Sequence, residues 1–176
     1  MIILICGPES SGTRFIAECF SQHPMFKGTK GHDDPLDDFW TGGKLPKGNY
    51  VTRRSIPSGL PGEKARYMSF PPLRRLRGDI FAVVTVRSPF ANIASWVAGR
   101  LSTGGSREKA WRQYEAAYRR LFLWLQDIPY LVLPLEAVVL DGEKAINGCF
   151  RLMGLPSCDL EIEPINPNSK RYECGI

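Results

Sequence analysis

Two short stretches of this sequence put phosphate-binding residue types at phosphate-binding spacings. The first, Gly7-Pro-Glu-Ser-Ser-Gly12-Thr13, has the G-x-x-x-x-G spacing of a loop whose backbone N–H groups close around an anion. Such a loop works between a buried strand and a helix N-terminus, where first-turn amides and the helix dipole both favour negative charge. Nucleoside triphosphate hydrolases continue the pattern with lysine and then serine or threonine. Here Thr13 and Arg14 follow, so ATP or GTP hydrolysis is poorly supported. The same residues also suit a tight strand-to-helix turn with a serine cap. The second stretch is Arg87-Ser-Pro-Phe-Ala-Asn-Ile-Ala-Ser95, in which an arginine fork and a hydroxyl two helical turns later can meet one phosphate. An arginine at a strand end is, by itself, commonplace.

Proton transfer has few candidates. The chain contains two histidines. His32, in Gly31-His32-Asp33-Asp34, offers an imidazole matched to a hydroxyl proton near neutral pH, and as a loop residue it can equally be solvated. His23 precedes Pro24 at a helix end and reads as a cap. Asp33, Asp34, Asp37 and Asp38 either bind a cationic substrate or keep their loop soluble.

The elements around these residues have their own signatures. Residues 1–6 and 79–86 are apolar runs rich in β-branched residues, as strands buried on both faces are, and each leads into one of the two motifs. After the first loop, Phe15, Ile16, Cys19 and Phe20 recur at helical spacing until His23-Pro24. Residues 28–49 show no period and read as a long surface excursion. A strand is expected at 50–53 and a short helix within 65–76. A helix over 90–97 has Pro89 at its first turn, where the missing N–H costs nothing. Residues 107–126 carry Trp111, Tyr114, Tyr118, Leu121, Phe122 and Leu125 at helical spacing, and the pattern assigns these aromatics to the core. A strand at 129–133, a helix at 142–153 and a draped tail from 164 complete the reading. Strands alternating with helices predict an α/β fold: one domain over residues 1–176, a mostly parallel central sheet flanked by helices, of the P-loop nucleotide-binding type.

Composition narrows the class. At 176 residues with 43% hydrophobic and 23% charged, the chain can bury a real core and is not a disordered polymer. No apolar run approaches the roughly 18 residues of a membrane span, and Gly7-Pro8 breaks the opening run too early for a secretory signal. Five cysteines (Cys6, Cys19, Cys149, Cys158 and Cys174) lack both an even count and metal-site spacing, so a reducing, cytoplasmic setting is expected. The net charge of +5 suits an anionic partner. Basic residues dominate 53–77 and acids dominate 127–163, which fits a nucleotide, a phosphate or an acidic polymer on one side, or simply a solvated basic face.

Together the two motifs resemble those of the sulfotransferases that use 3′-phosphoadenosine 5′-phosphosulfate (PAPS). Ser11-Gly12-Thr13 matches the centre of that family's 5′-phosphosulfate loop, and Arg87, Pro89 and Ser95 match its 3′-phosphate motif at each spacing. Residues 130–140 are similar to its Tyr-Glu-Asp-Leu segment. The resemblance implies PAPS as co-substrate, adenosine 3′,5′-bisphosphate (PAP) as product, no metal, and a small-molecule or glycan acceptor. It implies cofactor contacts from Ser10, Ser11, Gly12, Thr13, Arg14, Phe15, Arg87 and Ser95. Phe15 falls where many members stack an aromatic on adenine, and equally suits a core position. Two positions depart from the family. Ser10 replaces its basic loop residue, for which Arg14 is the substitute, and Ser55 stands where a catalytic histidine often follows the second strand, which leaves His32 as the base. Three rivals predict different behaviour: an atypical P-loop kinase binds ATP with magnesium, a degenerate member binds nucleotide without turnover, and an acidic-polymer-binding module uses 53–77 and weakens steeply with salt. The paired motifs make nucleic acid the less expected partner.

Overall fold

The computed structural model describes residues 1–29, 33–40, 43–56, 80–98 and 106–162. Among these residues four strands form one parallel sheet: β1 (Ile2–Pro8), β2 (Tyr50–Ile56), β3 (Ile80–Val86) and β4 (Tyr130–Pro134), in the order β2-β1-β3-β4. Every residue of β1 is buried, as its apolar run requires of a central strand. Its register places Ile2 opposite both Tyr50 and Ile80, and Gly7 opposite Ser55.

Side chains alternate across this sheet and define two cores. Ile2, Leu4, Cys6, Ala82 and Val84 meet Leu36, Phe39 and Trp40 around the short helix α2 (Asp37–Trp40), and Leu121 and Leu125 of a long helix, α4 (Arg107–Leu125). On the other face Ile3, Ile5, Val51 and Val83 meet α1 (Thr13–Phe20), α5 (Leu135–Leu140) and α6 (Gly142–Leu152) through Ile16, Phe20, Val138 and Phe150. A smaller cluster of Ile93, Trp96 and Ala110 joins α3 (Pro89–Ala98) to α4. The result is a three-layered α/β/α arrangement, the class the alternating pattern predicts. Ser106 and Asp141 accept from Lys109 N–H and Lys144 N–H to cap α4 and α6. No helix among the described residues is long and apolar enough to cross a membrane.

Two expectations need correction. The aromatics of α4 form only part of its core stripe: Ala110, Ala117, Leu121 and Leu125 are buried and Tyr114 and Tyr118 pack half-buried against the cores, whereas Trp111 and Phe122 are exposed. Small alanines let the helix approach closely, and the rings flank that contact and touch one another, with Tyr114 and Tyr118 centroids 4.9 Å apart. Nor is the 28–49 excursion simply surface, since Leu36, Phe39 and Trp40 are buried in the first core. The helix α5, over residues predicted only as a motif segment, is an addition. The helix expected within 65–76 and the tail from 164 lie outside the described residues.

Candidate active site

The chain leaves β1 for β2 on one side and returns to β3 on the other. The crevice between the C-terminal ends of β1 and β3 is therefore the topological switch point, where open parallel sheets bind ligands. Both motifs arrive there. The β1–α1 loop is turned sharply by two left-handed residues, Ser10 (φ 64°) and Gly12 (φ 88°). At Gly12 a Cβ would also lie 2.7 Å from Leu135 Cδ1, so conformation and space both demand glycine. At Gly7 a Cβ would collide with the Thr85 hydroxyl and lie 2.7 Å from the Thr85 carbonyl, which is why β1 and β3 can approach closely beneath the loop.

The loop is braced from inside. Ser11 is fully buried; its hydroxyl donates to the Pro8 carbonyl at 2.6 Å and lies 2.7 Å from Thr85 Oγ1, and its N–H donates to the same carbonyl at 3.2 Å. Thr85 Oγ1 in turn is 3.3 Å from the Cys6 carbonyl. Thr13 Oγ1 lies 2.8 Å from Ser55 Oγ at the end of β2. Helix α1 starts at Gly12 with no side-chain cap and no acid in its first turn. Its first-turn amides have no intrahelical acceptors, so this end presents donors and positive dipole to whatever occupies the crevice.

The second motif grips the first. Arg87 is buried, and its Nη1 donates to the Ser10 carbonyl at 3.0 Å. Trp96 Nε1 donates to the Glu9 carbonyl at 2.7 Å, fastening α3 to the loop. Behind them, Tyr114 OH donates to the Arg87 carbonyl at 3.4 Å and Tyr118 OH to the Thr85 carbonyl at 3.2 Å. Burial pushes both phenols above their ordinary range, so each keeps its proton for donation at neutral pH. Glu136 Oε1 accepts from Ser88 N–H at 2.7 Å, tying the start of α5 to the start of α3.

The structure thus brings Ser10, Ser11, Gly12, Thr13 and Arg87 to one edge, and Ser95 lies half-buried on α3, the helix that follows Arg87. Arg14 is exposed in the first turn of α1. Phe15 is half-buried against the core cluster that contains Ile16 and Leu135. His32 and most of the basic stretch 53–77 lie outside the described residues. Within that stretch Arg54 is engaged internally: it donates to Asp34 at 3.0 Å and Asp37 at 3.1 Å, and its guanidinium sits 4.7 Å above the Trp40 ring. Burial lowers its pKa while the two carboxylates oppose the fall. Asp34 consequently corrects the expectation of a substrate-binding or solubilising acid, for its side chain is only 3% exposed and anchors the excursion to β2. His23 is also more than a cap: it is buried, with Nε2 3.1 Å from the Pro156 carbonyl, Nδ1 accepting from Met25 N–H at 3.3 Å, and its ring edge-on to Phe150. Sequence reasoning missed Thr85 and Trp96, and placed Glu136 only within the motif-like segment 130–140. The one signal was Thr85, the single hydroxyl in an otherwise apolar strand.

No family model matches this sequence, and no curated protein matches it. Solved structures do. A sulfotransferase domain from the curacin biosynthetic pathway superposes with a TM-score of 0.60 at 11% identity, over 94% of this chain and 77% of that one. A sulfotransferase from Alicyclobacillus acidocaldarius gives 0.54 at 15% identity, over 96% of this chain and 88% of that one. A mouse sulfotransferase complexed with PAP gives 0.50 at 12% identity, over 90% of this chain and 60% of that one. The fold of this chain is that of the sulfotransferases, as the two motifs led one to expect.

Proposed function

We propose that the protein transfers a sulfuryl group from PAPS to a hydroxyl or amine on a small-molecule or glycan acceptor. The observation that carries the reading is the Arg87–Ser10 hydrogen bond, which makes the two phosphate motifs one continuous surface at the uncapped end of α1. In this reading the 5′-phosphosulfate rests on the amides of Gly12, Thr13 and Arg14, the 3′-phosphate on Arg87 and Ser95, and Phe15 lies beside the adenine. The acceptor oxygen or nitrogen attacks sulfur in line. The bond from sulfur to the bridging oxygen breaks, and the 5′-phosphate of PAP leaves with its electron pair. A base takes the acceptor proton. Catalysis is then mostly alignment and stabilisation of charge on the leaving phosphate. With serine at position 10, Arg14 supplies the cation, since a first-turn side chain leans back toward the helix N-terminus. His32 is our candidate base; Ser55, hydrogen-bonded to Thr13, has no group that takes a proton at neutral pH. The scheme requires no metal.

A second reading, nucleotide binding without transfer, is favoured by that same Thr13–Ser55 pair standing where the family often has a histidine. Thermal unfolding with PAP and with ATP plus magnesium tests both readings. PAP at 100 times its Kd should stabilise the fold by about 2.7 kcal/mol, and ATP much less. Equal responses would overturn the assignment of the 3′-phosphate. Stabilisation by PAP, with PAPS left intact in the presence of a broad acceptor mixture, would select the second reading.

A further inference from the structure

Asn92, on the second turn of α3, is fully buried, and neither its Oδ1 nor its Nδ2 has a hydrogen-bond partner among the described residues. Buried amides are paired in the great majority of structures, so an amide orphaned at both atoms calls for a partner. The helix tells where that partner must be. Residues three and four apart share a face, which puts Asn92 beside Ser95 and Trp96. Trp96 donates to the Glu9 carbonyl, so this face looks onto the β1–α1 loop. Ser95 marks its half-buried margin, and Ile93 turns away into the cluster with Ala110. Asn92 lies between, one turn nearer than Trp96 to Arg87 and the sheet edge. Packing does not require an amide here, since an apolar side chain such as leucine, with the same branching, would leave no polar atoms unpaired.

We propose that Asn92 is a nucleotide-contacting residue that reads the ribose. Its Nδ2 donates to the 3′-phosphate held by Arg87 and Ser95, and its Oδ1 accepts from the neighbouring 2′-hydroxyl. This rests on the reading of the edge as a PAP and PAPS site. A donor and an acceptor side by side match a phosphate and a hydroxyl on adjacent carbons; arginine, which only donates, cannot make that distinction.

The test is calorimetric titration of PAP and 2′-deoxy-PAP into the wild type, Asn92→Leu and Asn92→Asp. The wild type should favour PAP by about 3- to 10-fold, the span of one net hydrogen bond. Asn92→Leu should weaken PAP by about 10-fold or more and erase the preference. Asn92→Asp should weaken both ligands, because its charge opposes the phosphate, yet keep the preference through its acceptor oxygens. Each ratio compares two ligands on one variant, so it is independent of the folded fraction, and Asn92→Ala replaces the leucine variant should that one fail to fold. If the wild type binds PAP but shows no 2′-hydroxyl preference, or the leucine or alanine variant keeps wild-type affinity and preference, the inference falls and the reading of the edge stands. If the wild type does not bind PAP, the reading beneath it falls as well.

Discussion

Asp34→Asn should be one of the most damaging conservative substitutions in the protein. The Asp34 carboxylate accepts from Thr52 Oγ1 at 2.7 and 2.8 Å, Leu36 N–H at 2.9 Å, Arg54 Nη1 at 3.0 Å and Arg53 N–H at 3.1 Å. An asparagine keeps the shape but offers one acceptor oxygen, and either flip points its NH2 at an existing donor. Arg54, with its side chain 13% exposed, would keep Asp37, which is 63% exposed, as its carboxylate partner, beside the neutral Arg53 carbonyl at 2.8 Å. Removing one partner of a buried pair costs about 3–5 kcal/mol. Because Asp37 remains, the lower end applies, about 3 kcal/mol, which in a chain of this size corresponds to roughly 6–12 °C in Tm. Urea denaturation with an unchanged slope measures it. Asp37→Asn, on the exposed arm, is the control and should cost at most about 1 kcal/mol. Adding Arg54→Met to Asp34→Asn should recover stability, since it removes the stranded charge. A loss below 1 kcal/mol, or equal losses for the two aspartates, would refute the assignment of Asp34 as the anchor.

Arg87→Ala should weaken PAP by about 10- to 150-fold while affecting adenosine 5′-phosphate less, as read by calorimetry. Arg14→Ala should lower turnover by about 10²- to 10³-fold with a smaller change in PAP affinity, the signature of a contact strengthened in the transition state. His32→Ala should lower turnover by about 10²- to 10⁴-fold and remove the acidic limb of the pH profile of kcat/KM. Burial pushes the Cys6 and Cys19 thiols up to about 12 from an ordinary 9.0. The folded state therefore holds these protons longer than the unfolded one, so their stabilisation is complete below pH 9 and is lost as pH rises toward 12. Urea midpoints should fall between pH 9 and 11, and neither thiol should react with a disulfide reagent in the native protein at pH 8.

Central strands were the most legible part of this fold because a strand buried on both faces leaves no polar alternation to interpret. The run read over 1–6 is β1, which continues two residues into the loop to Pro8, and the run read over 79–86 is β3. Long-range pairing was not legible. Nothing in the spacing around Trp111 reveals that Ala110 and Ala117 would be buried while Trp111 itself stays exposed. Asp34 looked like a solubilising acid because its partners Thr52 and Arg54 lie 18 and 20 positions away and meet it only after the excursion folds back on β2. The candidate site was half-readable for the same reason. Motif spacing selected Gly12, Thr13, Arg87 and Ser95, but the contacts that fasten one motif to the other, Arg87 to Ser10 and Trp96 to Glu9, span 77 and 87 positions.

Those contacts change what the loop's polar side chains do. Ser11, expected among the ligand contacts, has both its hydroxyl and its N–H engaged within the loop and with Thr85. Thr13 holds Ser55, and one arm of Arg87 holds the Ser10 carbonyl. What the loop offers an anion is chiefly backbone: the amides from Gly12 into the first turn of an uncapped helix. A site built this way gains rigidity, because the donors sit on elements fixed by β1, β3 and α3 instead of on free rotamers. In the reading proposed above it also depends on shape more than on side-chain charge, with Arg14 supplying the cation in place of the serine at position 10. Damage to the brace should then reach the ligand indirectly. Losing the Ser11 hydroxyl leaves Thr85 Oγ1 facing a gap beneath the loop and relaxes the turn that aims the amides, so its effect on binding and its effect on stability should appear together, whereas a direct ligand contact would lose the first and spare the second.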